Sequence, residues 1–89
     1  MNKIKRKELS KIEDRILSVR DIIDDIKNDL EYVLTDEEDA LNNMENFSGT
    51  DRYAAMEEAI DNMSDAVSAL EDAIDSMNDA IDSIDNAKN

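Results

Sequence analysis

Carboxylates are the side chains this sequence supplies in quantity, with 24 Asp and Glu against 10 Lys and Arg for a net charge of −14 over 89 residues. Three groupings have spacings that could do chemistry. Asp24-Asp25-x-x-x-Asp29 sets three carboxylates within two helical turns, a pattern suited to a magnesium-bound diphosphate. Asp36-x-x-Asp39 and Glu58-x-x-Asp61 are i,i+3 pairs, and each pair shares one helix face. Two such pairs brought together could hold magnesium and leave coordination positions open for substrate phosphates.

None of these groupings is accompanied by the rest of a catalytic site. The first occurs in prenyl-transferring enzymes, which also need a large helical cavity and basic clamps for the diphosphate. The second echoes the acidic pairs of all-α nucleotide pyrophosphatases, but no ordered lysine and asparagine set goes with it here. A magnesium-dependent nucleotide hydrolase is therefore the most remote reading. Histidine and cysteine are both absent. That removes the commonest general base, the commonest metal ligand, thiolate sites and any disulfide framework. No acidic ladder carries the glycine an EF-hand requires, and no phosphate loop or nucleophile–base pair is present. The sequence predicts no enzyme, no cofactor and no metal site.

The elements that position these carboxylates follow from apolar spacing. Leu9, Ile12, Ile16, Val19, Ile23, Ile26, Leu30 and Val33 advance by threes and fours, skip a beat at Glu37, and resume with Ala40, Met44 and Phe47. Beyond Gly49 the rhythm returns as Tyr53, Met56, Ile60, Met63, Val67, Leu70, Ile74, Met77, Ile81 and Ile84. A 3.5-residue repeat sustained this long is a coiled-coil seam. It outweighs the disorder that high charge and three aromatic residues would otherwise suggest. The two tracks mirror each other about residue 50. Phe47 and Tyr53, Met44 and Met56, Ala40 and Ile60, Val33 and Val67, Ile26 and Ile74, and Ile16 and Ile84 become layers if the chain folds back there.

The predicted fold is all-α: one antiparallel two-helix hairpin, with helix 3–47, turn 48–50 and helix 51–87. Gly49 is expected to take the left-handed conformation that ends a helix, with Ser48 or Thr50 capping the next. Thr35-Asp36-Glu37-Glu38 has the form of a capping box and could break the first helix. Alanines at 59, 66, 73, 80 and 87 give a second register. They set Leu41 against Ala59 and Leu34 against Ala66 around the Glu37 defect, and lay the stems of Lys27 and Arg20 on Ala73 and Ala80. Leu9, Ile12, Leu17 and Ile22 find no apolar mate in this scheme, which makes them candidates for self-association as a homodimeric four-helix bundle.

Charge is uneven along such a hairpin. Residues 1–20 net +4, whereas residues 21–65 hold fifteen acids and net −13. At 1.5 Å per residue those carboxylates lie along ~40 Å of rod, about one per 2.7 Å, against roughly one per 1.7 Å in duplex DNA. The same acids also serve as a solvated face that keeps a coiled coil dispersed. Lys3, Lys5, Arg6, Lys7 and Lys11 are expected to answer Asp79, Asp82 and Asp85 across the hairpin. A net charge of this sign repels nucleic acid and anionic membranes and favours basic protein surfaces. No apolar run follows the basic residues 1–7, so neither a signal peptide nor a membrane span is predicted.

Arg6-Lys7-Glu8-Leu9, Asp36-Glu37-Glu38-Asp39-Ala40, Asn43-Met44-Glu45-Asn46, Thr50-Asp51-Arg52-Tyr53 and Met56-Glu57-Glu58-Ala59 carry a resemblance spanning nearly the whole chain. It resembles a family of small acidic helical proteins of unknown function from bacteriophages, prophages and mobile elements of Firmicutes. Members often have proline in the turn, where this chain has Met44-Glu45-Asn46-Phe47. The resemblance implies a mobile-element context, in which small acidic proteins often block restriction or CRISPR nucleases, and the cytoplasm of a bacterial host cell. The expected function is a phage-type inhibitor or modulator that presents a DNA-mimicking carboxylate surface to a basic nucleic-acid-binding protein such as a nuclease. Asp36, Glu37, Glu38, Asp39, Glu45, Asp51, Glu57, Glu58 and Asp61 would form that surface. The alternative is a structural or adaptor coiled coil acting through its unmated apolar residues.

Overall fold

Asn2 opens the first helix: extended at the cap position, its side chain accepts a hydrogen bond from the Lys5 backbone N–H at 2.8 Å, satisfying one of the amides a helix start leaves unpaired. The computed structural model describes the whole chain apart from the side chain of Glu45. Helix α1 runs Lys3–Asn42 without interruption, so Thr35 to Glu38 do not act as a cap. With no proline or glycine in that stretch, nothing stops the helix, and the apolar track carries it through. A 3-10 turn, η1, covers Glu45–Phe47, and helix α2 runs Asp51–Lys88. The Cα atoms span 67 × 15 × 13 Å. Those are the dimensions of two ~60 Å helices side by side, so the chain is an all-α helical hairpin.

The reversal differs from the expected one. No residue, Gly49 included, has a positive φ. The chain turns through successive three-residue hydrogen bonds: Met44 N–H to Leu41 C=O at 2.9 Å, Phe47 N–H to Met44 C=O at 2.8 Å, and Thr50 N–H to Phe47 C=O at 3.0 Å. A tight 3-10 path uses only negative φ, so α1 ends five residues before position 47 and no left-handed glycine is needed. Thr50 does cap α2. Its hydroxyl accepts from Tyr53 N–H at 3.2 Å and donates to Phe47 C=O at 2.8 Å, tying the turn to the helix it starts.

Burial shows how the helices meet. On α2 the covered positions are Tyr53, Met56, Ile60, Met63, Val67, Leu70, Ile74, Met77, Ile81 and Ile84, the expected seam. On α1 only every second expected position is covered: Leu9, Ile16, Ile23, Leu30, Glu37 and Met44. Between them lie Glu13, Arg20, Lys27, Leu34 and Leu41, whereas Ile12, Val19, Ile26, Val33 and Ala40 are exposed. The layers Met44/Met56 and Ile16/Ile84 therefore have both members half-buried. In Phe47/Tyr53, Ala40/Ile60, Val33/Val67 and Ile26/Ile74 the α1 member is exposed.

The physical reason is the width of the apolar arc. The aliphatic side chains of α1 spread over a wider arc than one partner helix can cover, as in Ile16, Leu17, Val19 and Ile22 or in Leu30, Val33 and Leu34. Rotating α1 by about half the angle between successive residues covers Leu34 and Leu41 on either side of Glu37. It also lets Arg20 Nη1 donate to Asn78 Oδ1 at 2.8 Å and brings Glu13 to Lys88 as an ion pair. The consequence is an aliphatic stripe left outside. Among the described residues no apolar side chain is buried, and the one buried residue is Glu13.

Candidate functional site

Helix α2 divides its surface by residue type. Counting heptads from Tyr53, the seam takes the first and fourth positions. All eleven acids, from Asp51 to Asp85, fall on the second, fifth and sixth. The third and seventh carry Ala55, Ala59, Asn62, Ala66, Ala69, Ala73, Ser76, Ala80, Ser83 and Ala87, with Arg52 the one charge. A single acidic arc runs the length of α2, and a separate uncharged lane of small side chains runs from Ala55 to Ala87. In α1 the acids Asp36, Glu37, Glu38 and Asp39 occupy four consecutive positions and so spread right around the helix.

Among the proposed partner-binding carboxylates, Asp36, Glu38, Asp39, Asp51, Glu57, Glu58 and Asp61 are exposed. Glu37 is half-buried in the seam, as the defect in the apolar track implied, and the side chain of Glu45 lies outside the described residues. The fold brings these residues to one end of the rod, the end at the turn. None of the described ones forms an ion pair; the pairs that occur are Arg20–Asp21, Lys27–Asp24, Lys27–Glu31, Lys88–Glu13 and Lys88–Asp85. Unneutralised carboxylates in one place make a strongly negative surface that a cationic partner would relieve. Asp36, Asp39, Glu58 and Asp61 do not converge: among the described residues no three acidic side chains are grouped to hold a metal ion.

At the opposite end the basic residues are placed differently from expectation. Lys3, Lys5, Arg6, Lys7 and Lys11 are exposed and take part in none of the ion pairs, so they do not answer Asp79, Asp82 or Asp85. The pair that crosses the hairpin has the reverse polarity, with the acid Glu13 on α1 and the base Lys88 on α2. Lys88 Nζ also reaches Asp85 at 3.3 Å and donates to Ser10 Oγ at 3.4 Å. Hydrogen bonding with Glu13, then with Lys88, holds the Asp85 carboxyl below its ordinary range. The Lys88 ammonium is pushed up, first by Glu13 and then by Asp85, against the desolvation that opposes it. Arg20 and Lys27 likewise pair with acids of their own helix, Arg20 with Asp21 at 3.4 Å and Lys27 with Asp24 at 3.7 Å and Glu31 at 3.9 Å, while Arg20 reaches α2 only through the uncharged Asn78.

The self-association candidates separate. Ile12 and Ile22 are 42% and 57% exposed, Leu9 is half-buried in the seam, and Leu17 is half-buried on the other flank of α1. The structure adds Val19, Ile26 and Val33, exposed by 46%, 50% and 55%, which the mirrored layers had assigned to the interior. Ile12, Arg15, Ile16 and Val19 line one groove with Ala73, Ser76, Met77 and Ala80, so this part of the α1 stripe runs beside the small-residue lane of α2. That lane was visible in the sequence as an absence of charge at two heptad positions over five repeats. No helix among the described residues is long and apolar enough to cross a membrane. Comparison with family models, curated proteins and solved structures gives no match.

Proposed function

We propose that this chain is a non-enzymatic acidic binding protein of the phage inhibitor type, anti-CRISPR-like or anti-restriction-like. In this reading its turn-proximal half occupies the basic nucleic-acid channel of a DNA-handling protein such as a nuclease. The observation that carries the reading is the cluster of exposed, unpaired carboxylates at the turn, Asp36, Glu38, Asp39, Asp51, Glu57, Glu58 and Asp61, within a segment that nets −13. A helical rod presents those charges with its backbone already ordered. It is spared the ordering cost a flexible acidic tail meets on binding.

The test is displacement of a fluorescent DNA duplex from purified nucleases by the wild-type chain and by D51N/E57Q/E58Q/D61N. These four lie on the outer arc of α2, so helicity by circular dichroism should be unchanged. The variant should lose at least tenfold in potency at low salt, with a shallower salt dependence, since fewer charges are exchanged on binding. Equal potency of the two chains, or no displacement by either, would remove the reading. The second reading, a structural or adaptor coiled coil acting by self-association, is favoured by a different observation: the aliphatic stripe of α1 lies outside and the hairpin buries no apolar side chain.

A further inference from the structure

We infer that the exposed stripe Ile12, Val19, Ile26 and Val33 is the interface with a second copy of this chain, docked antiparallel, so that the turn of each hairpin lies beside the open end of the other. The inference rests on the self-association reading and supplies the partner, orientation and register.

Area comes first. A compact 10.1 kDa monomer exposes about 5,300 Å² by the usual scaling, whereas this chain exposes 6469 Å². The excess of roughly 1,200 Å² per chain is the order of surface that a stable dimer covers. Exposed aliphatic surface is ordered along α1: the four side chains stand seven residues apart on one side, and Ile12 and Val19 line a groove with Arg15, Ala73 and Ala80.

Symmetry picks the register. Helix α1 runs Lys3–Asn42, so its midpoint falls between Ile22 and Ile23, and the midpoint of the stripe, between Val19 and Ile26, is the same point. A two-fold axis there overlaps two α1 helices along their full length. It pairs Ile12 with Val33 of the second copy and Val19 with its Ile26, and sets Ile22 next to its own copy. Hydrogen bonds and ion pairs across the hairpin join residues whose numbers sum to 98–101, so the level of α2 facing that axis lies between Ala73 and Ala80. Helix α2 therefore meets its copy through alanine, and small side chains permit helix axes ~8 Å apart.

Charge picks the orientation. Lys3 to Lys7 extend past the end of α2 and have no ion-pair partner in their own hairpin. About the two-fold axis, residues 3–20 of one copy, net +4, lie alongside residues 25–42 of the second, net −6. The parallel alternative stacks one −13 half on the other, a repulsion that weak, solvent-screened ion pairs could not offset. The acids on the outer arc of α2, including Glu57, Glu58 and Asp61, stay open in the antiparallel dimer. The carboxylate surface and the dimer interface can thus act independently.

The chain contains no cysteine, so engineered cross-linking is clean. Val19→Cys and Ile26→Cys lie ~10.5 Å apart along one helix, beyond disulfide reach, so a bond between them must join two chains. Mixed and oxidised, the two single variants should give a covalent heterodimer at twice the chain mass, while Val19→Cys alone should cross-link at least tenfold less. The pair Asp14→Cys and Asp21→Cys, equally spaced on the outer face, is the control. Sedimentation of the wild-type chain should show a dimer at micromolar concentration, and Ile26→Lys, with helicity retained, a monomer. Cross-linking of the 19/26 pair no better than the control, preferential Val19–Val19 bonding, or a wild-type monomer would each overturn the inference. None of these outcomes bears on DNA displacement by the acidic arc, so the two proposals fail separately.

Discussion

Replacing Gly49 by alanine should stabilise this protein, against the ordinary expectation for a lone glycine at a hairpin bend. Gly49 has no positive φ, and a Cβ built on it meets no atom within 4 Å. Alanine can adopt the same backbone without strain, and the change removes conformational freedom from the unfolded chain, worth about 0.4–1 kcal/mol. Unfolding entropy scales as about 2.1 cal/mol/K per residue, roughly 190 cal/mol/K for this length, so Gly49→Ala should raise Tm by roughly 2–5 °C. Thr50→Ala supplies the opposite sign in the same series. It deletes the bonds to Tyr53 N–H and Phe47 C=O and should cost about 1 kcal/mol, the usual worth of an N-cap. Thermal melts by circular dichroism at equal protein concentration are sufficient, since association would shift Tm with concentration. A fall in Tm of several degrees for Gly49→Ala would refute the reasoning. A left-handed glycine, which costs a substituted residue about 1–2 kcal/mol, would then have to be present after all.

The rotation of α1 makes Lys27→Leu stabilising. The Lys27 side chain is only 20% exposed and its ion pairs are within its own helix, so about 1 kcal/mol should be gained from extra apolar burial after those surface pairs are lost. An unchanged or lower Tm in a thermal melt would return Ile26 to the seam in its place. The clasp at the open end predicts a pH window. Lys88 is raised, so its contribution is fully present below its ordinary value of 10.5 and is lost as pH rises through the raised one. Asp85 is lowered, so its contribution is present above its ordinary value of 3.8 and is lost as pH falls through the lowered one. The Tm difference between wild type and Lys88→Met should therefore be flat between those limits and shrink on both sides. A difference that grows above pH 11 would contradict the assignment.

The helices, the place of the bend and the α2 seam were legible because local chemistry or strict period fixes each, and of the two expected caps, Ser48 or Thr50, the structure uses Thr50. On α2, acids at three heptad positions and small residues at two leave one pair of positions for the seam, and the structure uses that pair. Helix α1 offered no such exclusion. Ile12, Val19, Ile26 and Val33 compete with Leu34, Leu41 and the stems of Arg20 and Lys27 for the same neighbour. Periodicity counts apolar residues without counting how many helices exist to cover them. The path of the bend was illegible for a related reason. Glycine permits a left-handed residue but does not require one, and three successive 3-10 bonds reverse the chain just as well. For the carboxylates, the sequence located the dense cluster near the turn and, through the defect in the apolar track, the half-buried place of Glu37.

A helix with more apolar arc than one partner can cover has a calculable consequence. Fully burying one aliphatic side chain is worth about 1.5–3 kcal/mol, so covering the exposed half of Ile12, Val19, Ile26 and Val33 on two chains gives roughly 6–12 kcal/mol. Association costs an estimated 4–15 kcal/mol. The stripe alone therefore sits close to balance, and the charge pattern decides the outcome. Two chains of net −14 repel in any arrangement. The antiparallel one is distinguished by placing residues 3–20, net +4, alongside residues 25–42 of the second copy, net −6. Salt then has two opposed effects, screening the net repulsion and weakening the local attraction within the same ~10 Å Debye length at 0.1 M. Dimerisation should accordingly depend weakly on salt, in contrast to the steep dependence expected for a basic protein held by the acidic arc. That difference in slope separates the two surfaces even when a single chain is using both.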